Sequence, residues 1–325
     1  MRARITGTGS YIPDKIVTNE QLEAIVDTSS EWIVKRTGIR SRHLLTESEI
    51  PSDMGVAAGK QALEAAHVSP EQVDLLIAAT NFPDMICPGS APFIADGLGL
   101  GNTPFFDLKA GCSGFVYGLG VANGLIESGL FPRILVVGIE ALSRVTDWTD
   151  RRTCVLFGDG AGAALLEKGN GTSGILGTAL YGDAAKSLFL HMPAGGTRTP
   201  ASPDTLEQRG HFLKMEGSGV FRNAAPMMER ATLAALANAN LTLADVDWVI
   251  PHQANQRIID ALVKRLDIPD DRVIVNLDRV ANTSTASIPI ALDEDIRSGK
   301  IQPGDVIVMT AFGAGVTYGA IVAKL

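Results

Sequence analysis

Two rhythms of apolar residues alternate along the chain. Short runs that are apolar almost throughout predict buried strands at 73–77, 105–108, 246–250 and 273–277. Between such runs, apolar positions recur at helical spacing, as they do over 115–128. Strand and helix signals that alternate in this way predict α/β layers with largely buried strands. At 325 residues, 46% of them hydrophobic, the chain can fill two cores rather than one.

The two cores are expected to be copies of one unit. Val73-Asp74-Leu75-Leu76-Ile77 corresponds to Val246-Asp247-Trp248-Val249-Ile250, each following a helix and a polar turn. Phe157-Gly158-Asp159-Gly160-Ala161-Gly162 corresponds to Phe312-Gly313-Ala314-Gly315, each leading into a strand of small apolar residues. Ser128-Gly129 and Ser298-Gly299 both close a helix. Cys112 lies 16 residues before Ser128, and Asn282 lies 16 residues before Ser298, so the two hold the same place in the repeat. Packed about a pseudo-twofold axis, the copies would bring both turns to one central site. The boundary is expected in the polar, glycine-rich stretch 169–174, which divides the chain into halves 1–172 and 173–325.

Charge and composition narrow the function. A net charge of -8 argues against nucleic acid as the main partner, because phosphate binding needs a positive field. The N-terminal residues lack the apolar run of a signal peptide, and no stretch approaches the ~20 apolar residues of a membrane span. A cytoplasmic protein with no membrane partner is expected. Cys87, Cys112 and Cys154 are an odd number without a CxxC pair, which suits free thiols and indicates neither a disulfide framework nor a metal site.

Cys112 is the strongest chemical candidate. It sits in Ala110-Gly111-Cys112-Ser113-Gly114-Phe115, on the turn between a predicted strand and a predicted helix. A helix N-terminus offers free N–H groups and a partial positive charge, both of which favour thiolate and can hold an oxyanion. His252, in Pro251-His252-Gln253-Ala254-Asn255, ends a predicted strand, where ligands collect in α/β folds. His43, His67, His191 and His211 read as structural, as does Asp159. Asn282 opens a run of small polar residues in which Thr283 or Ser284 can cap a helix while the amide faces a substrate. The glycine-rich turn 312–315 can turn the Ala314 N–H toward Cys112, and the two backbone N–H groups would form an oxyanion hole. Arg257, Lys264 and Arg265 share one helix face that Arg222 can join, either as a solvated face or as a basic patch for an acidic partner.

The set Cys112, His252 and Asn282 resembles the thiolase superfamily, and within it the β-ketoacyl-[acyl-carrier-protein] synthase III group. The likeness runs the length of the chain. It is carried by Glu31-Trp32-Ile33 through Arg36-Thr37-Gly38-Ile39, the 110–115 turn, Asp147-Trp148 through Asp150-Arg151, 157–162, 251–255, Asn282-Thr283-Ser284 and 312–315. The resemblance implies a five-layer αβαβα fold of two duplicated halves, working as a homodimer. It also implies the condensation that starts type II fatty acid synthesis. An acyl-CoA would load Cys112 as a thioester, and malonyl-acyl carrier protein would lose carbon dioxide to give a carbanion that takes the acyl group.

By the same resemblance, Thr28, Trp32, Arg36, Arg151, Phe221 and Asn255 would bind CoA, with Trp32 and Arg151 on either side of the adenine. Arg222, Arg257, Lys264 and Arg265 would dock the acidic carrier protein, and no metal or redox cofactor is required. The sequence departs from the group at Cys87, where an aromatic residue is usual in the acyl pocket, and this suggests room for primers longer or more branched than acetyl. Ala281 stands for the usual glycine, Tyr318 for tryptophan and Arg152 for a small residue. A relative from a quinolone, polyketide or long-chain ketone pathway would share the Cys-His-Asn set. A non-catalytic carrier-binding subunit would be expected to have lost part of it.

Overall fold

The apolar runs assemble into two sheets, as the computed structural model shows for residues 2–169 and 173–325. The first sheet is built from β1 (Ala3–Tyr11), β2 (Leu75–Ala79), β3 (Phe105–Leu108), β4 (Arg133–Ala141) and β5 (Asp159–Lys168), in the order β1-β5-β4-β2-β3. The second is built from β6 (Gly174–Gly182), β7 (Trp248–Pro251), β8 (Val306–Gly313) and β9 (Thr317–Lys324), in the order β7-β8-β9-β6. In each sheet the matching strands pair with the same sense. β2 runs parallel to β4 as β7 does to β8, and β4 runs antiparallel to β5 as β8 does to β9.

Helices fill the space around and between the sheets. Helices α2 (Gly114–Glu127) and α5 (Ser287–Arg297) lie between them, sharing one core with Leu75, Ile77 and Val136 of the first sheet and Ile307, Met309 and Ile321 of the second. Helix α1 (Pro51–Ala66) covers the outer face of the first sheet, while α3 (Gly217–Ala239) and α4 (Gln256–Leu266) cover that of the second. This is the expected five-layer αβαβα arrangement. The two central helices end alike, with Ser128 and Ser298 as αR caps followed by Gly129 and Gly299 at φ 78° and 77°. Local sequence and repeat register therefore agree.

Three expectations need correction. The strands predicted at 73–77 and 246–250 begin two residues later, at Leu75 and Trp248, because Val73 and Val246 instead close short 3-10 turns. The run 105–108 is a strand but lies at the sheet edge, with Phe105 and Phe106 44% and 39% exposed rather than buried. The run 273–277 forms no strand, only a single bridge between Val249 and Val273, and Leu277 already starts a helix. There the buried Gln253 side chain takes the place of a ladder, donating to Ile274 O at 3.1 Å and accepting from Asn276 N at 3.2 Å. The change of sheet falls between Lys168 and Gly174, and the boundary expected at 172/173 falls at residues 170–172, which lie outside the described residues.

Candidate active site

The turn before α2 and the turn after β8 meet backbone to backbone. Gly111 holds φ +57°, and a Cβ there would stand 2.4 Å from Ala314 N; a Cβ on Gly313 would stand 2.2 Å from Cys112 N. Neither position has room for a side chain, so both glycines are required by the approach. Thr317 Oγ1 seals the junction by donating to Ala110 O at 2.6 Å. Two half-molecules thus contribute to one site, and Cys112 sits at their seam.

Burial dominates the state of the thiol. Desolvation pushes Cys112 up to about 11; the Ser284 hydroxyl, donating to Sγ at 3.3 Å, and the N–H groups of Cys112 and Ala314 pull the other way, while buried Glu140 adds to the rise. The helix N-terminus was expected to favour thiolate. Desolvation outweighs that effect here and favours the thiol form at rest.

His252 follows β7, its N–H bonded to Thr310 O at 2.8 Å, and it is 2% exposed. Desolvation pushes the imidazole down to about 3, so it is neutral. Its Nδ1 lies 2.7 Å from Ser287 Oγ, which also accepts the Gln253 N–H at 3.3 Å. A Ser287 hydroxyl that donates to Nδ1 leaves the ring hydrogen on Nε2, where it faces the first cavity's reacting end. Asn282 Oδ1 accepts the Ser284 N–H at 2.8 Å. The capping roles are therefore the reverse of those expected: Asn282 caps the turn, leaving its NH₂ free to donate, while Ser284 Oγ is directed at sulfur.

Two cavities meet at Cys112. The first, about 310 Å³, is lined by Trp32, Arg36, Arg151, Phe221 and Asn255 toward its outer end, and by His252, Asn282 and Ala314 at the thiol. The second, about 630 Å³, lies beyond the thiol and is lined by Phe82, Ile86, Leu142, Leu190, Leu213 and Ser284 among others. His191, read as structural, borders it as well.

Other expected residues are placed less simply. Thr28 does not line either cavity, and its Oγ1 is buried without a partner. Both ends of the Asn255 amide are engaged: Nδ2 donates to Arg36 O at 3.1 Å, and Oδ1 accepts Arg257 N–H at 2.9 Å as the cap of α4. The Arg151 guanidinium lies 5.3 Å from the Trp32 ring centre and bonds Asp27 O at 2.9 Å. At that distance no ring fits between Trp32 and Arg151, so an adenine would have to displace the arginine. Arg222, Arg257, Lys264 and Arg265 are all exposed, Arg257 stacking over Phe221 at 5.2 Å and Arg265 bonding Glu229 at 2.6 Å. Cys87 is exposed and lines neither cavity of its own chain.

Sequence reasoning missed Glu140. It is fully buried at the end of β4, accepting Asn81 N at 2.8 Å and Asn81 Nδ2 at 2.5 Å, with Ser284 Oγ 3.5 Å away. Desolvation raises its carboxyl to about 8, against the pull of the Asn81 donors and of Lys109. One signal could have found it: Glu140 is the only charged residue within the otherwise apolar run 134–141. Ser287 and Gln253 carried no such mark.

Fold and site together define a thiolase-like condensing enzyme. Residues 106–184 match the family described as 3-oxoacyl-[acyl-carrier-protein (ACP)] synthase III, and 236–325 match its C-terminal part. The chain is 49% identical over 322 residues to the beta-ketoacyl-[acyl-carrier-protein] synthase III of Caldanaerobacter subterraneus subsp. tengcongensis, spanning 99% of this chain and 97% of that one. It superposes on the 3-oxoacyl-[acyl-carrier-protein] synthase III of Aquifex aeolicus with TM-score 0.92 and 42% identity, over 99% and 100% of the two chains. The priming beta-ketosynthase of the R1128 polyketide pathway is similar too, with TM-score 0.92 and 38% identity over 99% of this chain and 96% of that one. The chain belongs to the beta-ketoacyl-[acyl-carrier-protein] synthase III family and is an acyl-transferring condensing enzyme.

Proposed function

We propose that this enzyme joins an acyl-CoA primer to malonyl-acyl carrier protein, with Cys112, His252 and Asn282 as its catalytic residues. The observation that carries this reading is the place of Cys112 at the meeting point of two cavities, one with a basic, aromatic outer end and one larger and mostly apolar beyond the sulfur, its rim reaching exposed Ile86 and Lys109. A thioester carbon at Sγ would have its CoA half in the first and its acyl chain in the second. The Cys112 and Ala314 N–H groups then serve the oxyanion of each acyl transfer. On loss of carbon dioxide, the enolate oxygen of the malonyl unit takes hydrogen bonds from His252 Nε2 and the Asn282 NH₂. Neither is a base, so neither introduces a group that would quench the carbanion. The carboxyl itself supplies the electron pair, and these steps need no metal or redox cofactor.

Arg257, stacked over the cavity residue Phe221, and Arg222 beside it lie next to the first cavity, and with Lys264 and Arg265 further along α4 they give an exposed basic face that suits an acidic carrier protein. A homodimer accounts for the exposed β3 edge, with Phe105 and Phe106 outward and its hydrogen-bonding groups free. Asp107 on that edge bonds the N–H groups of Ser90 and Ala91, which ties the Cys87 loop to the same face. A partner's Cys87 would close the acyl cavity from across the interface, and a volume of about 630 Å³ favours primers longer than acetyl.

The test is intact mass after exposure to a mixed acyl-CoA pool, followed by malonyl-carrier protein. Cys112→Ala should take up no acyl group, and the mass added to the wild-type chain identifies the primer. His252→Ala and Asn282→Ala should acylate yet lose about 10²–10³ in decarboxylation rate. Persistent acylation of the cysteine variant, or normal decarboxylation by either other variant, would remove that residue from its role.

A further inference from the structure

Acylation removes a proton from Cys112, and the three catalytic residues offer it no acceptor. With Ser287 donating to Nδ1, the neutral His252 carries its hydrogen on Nε2, and the Asn282 NH₂ can only donate. On the far side of the sulfur, Ser284 Oγ stands 3.3 Å from Sγ and 3.5 Å from Glu140 Oε1, so its single hydroxyl proton can be directed to either. The fold holds Ser284 there at a cost. Its φ is +51°, a left-handed conformation that a non-glycine residue adopts only when its surroundings impose it. Asn81, which donates twice to Glu140 Oε1, also places Nδ2 3.4 Å from Ser284 Oγ. The other carboxylate oxygen, Oε2, is buried without a partner, which disfavours a bare charge on the group and favours uptake of a proton by the carboxyl.

Resting on Cys112 as the acylated residue, we propose that Ser284 relays the Cys112 proton and that Glu140, a positioning residue touching neither substrate nor sulfur, stores it while the acyl group is bound. In acylation the S–H electron pair becomes the new sulfur–carbon bond. The thiol proton passes to Ser284 Oγ as the Ser284 proton passes to the ionised Glu140 carboxylate. The carbon–sulfur bond to CoA then breaks, and CoA leaves as thiolate, to be protonated from solvent. In condensation the carbanion forms the new carbon–carbon bond, Sγ departs with its electron pair, and the stored proton returns by the same path. The enzyme ends each cycle as it began.

Lys109, from the turn after β3, is the charged group that acts most on Glu140, and Cys112 is the thiol that Glu140 acts on in turn. A carboxyl that titrates at about 8 is matched to accept a proton near neutral pH. Glutamine at position 140 would keep the hydrogen bonds from Asn81 and remove only the proton site.

The experiment measures the rate of Cys112 acylation by acetyl-CoA, by rapid quench and intact mass, from pH 6 to 10. The wild-type rate should rise with a midpoint near 8. Glu140→Gln should acylate about 10²-fold more slowly at pH 7, its rate still climbing at pH 10 with no midpoint near 8, because the desolvated thiol titrates well above the carboxyl. Glu140→Asp should keep the midpoint near 8 and recover part of the rate. A wild-type rate and an unmoved midpoint in Glu140→Gln overturn the proposal. So does a changed half-saturating acetyl-CoA concentration at an unmoved midpoint, which marks a purely structural role. Should Glu140→Gln fail to fold, Ser284→Ala is read for the same two quantities with the same expectations. Acylation of the wild-type chain at a residue other than Cys112 overturns instead the assignment on which the relay rests.

Discussion

The turn before α2 reverses at Gly111, with φ +57°, while the matching turn before α5 reverses at Ala281, with φ 62° and ψ -164°, and again at Ser284, with φ 51°. The first turn uses glycine because another backbone presses on it, that of residues 313–314. The second turn has side chains to aim, the Asn282 amide into one cavity and the Ser284 hydroxyl at the thiol, and it accepts backbone strain to do so. Duplication supplied the scaffold twice. On the proposed mechanism the difference between the turns divides the chemistry, with the sulfur and one oxyanion donor on the first and the donor amide on the second.

The sharpest way to break this comparison is to push the turns apart. Gly313→Ala places a Cβ 2.2 Å from Cys112 N. It should cost about 1–3 kcal/mol of stability and at least about 10² in turnover as the oxyanion donors separate, read by urea unfolding and steady-state rate. Wild-type values for both would mean that the turns do not need their backbone contact.

A smaller effect sharpens the role of the second half. Ser287→Ala removes the hydroxyl that holds His252 Nδ1, and should slow decarboxylation about 5–10-fold, the worth of one hydrogen bond, leaving Cys112 acylation as it was. Equal slowing of both steps would show that Ser287 supports the site generally.

The pH dependence of stability follows from the same histidine. Folded His252 titrates at about 3, and an unfolded histidine near its ordinary 6.5. As pH falls, the unfolded chain takes up this proton first, so the contribution is complete above 6.5 and is lost progressively toward 3. The urea midpoint of His252→Gln should fall less over that window than the wild-type midpoint. Parallel curves would show that His252 does not govern this loss.

The smallest effect tests the strain itself. Ala281→Gly relieves a backbone conformation that is essentially reserved for glycine and gives up one buried methyl group. A net gain of about 1 kcal/mol in unfolding free energy is expected. A loss would show that packing of the Ala281 methyl outweighs the strain of its turn.

Much of this organisation can be read in the chain. The repeat register placed Cys112 and Asn282 opposite one another, and the paired helix closures at Ser128-Gly129 and Ser298-Gly299 have nearly identical backbone geometry. His252 was legible because it directly follows an apolar run. Glu140 carried a signal that could have been used, a lone charge within such a run. Ser287 carried none, since a serine at the start of a helix is ordinary. The edge exposure of β3 could not be read either, because Phe105 and Phe106 look the same in sequence whether another strand covers them or not.

By itself the sequence determined the layered α/β architecture, its duplication and the turns that carry thiol, imidazole and amide. Those properties reside in spacing and in turn chemistry, which act between near neighbours along the chain. Only the tertiary structure decided that desolvation pushes the thiol up, that Gln253 replaces a strand, that Asn255 and Arg151 are already engaged, and that Glu140 stands behind Ser284. Each of these depends on desolvation or on a contact between distant residues, such as Ser284 and Cys112, 172 positions apart, and no local pattern encodes such a meeting.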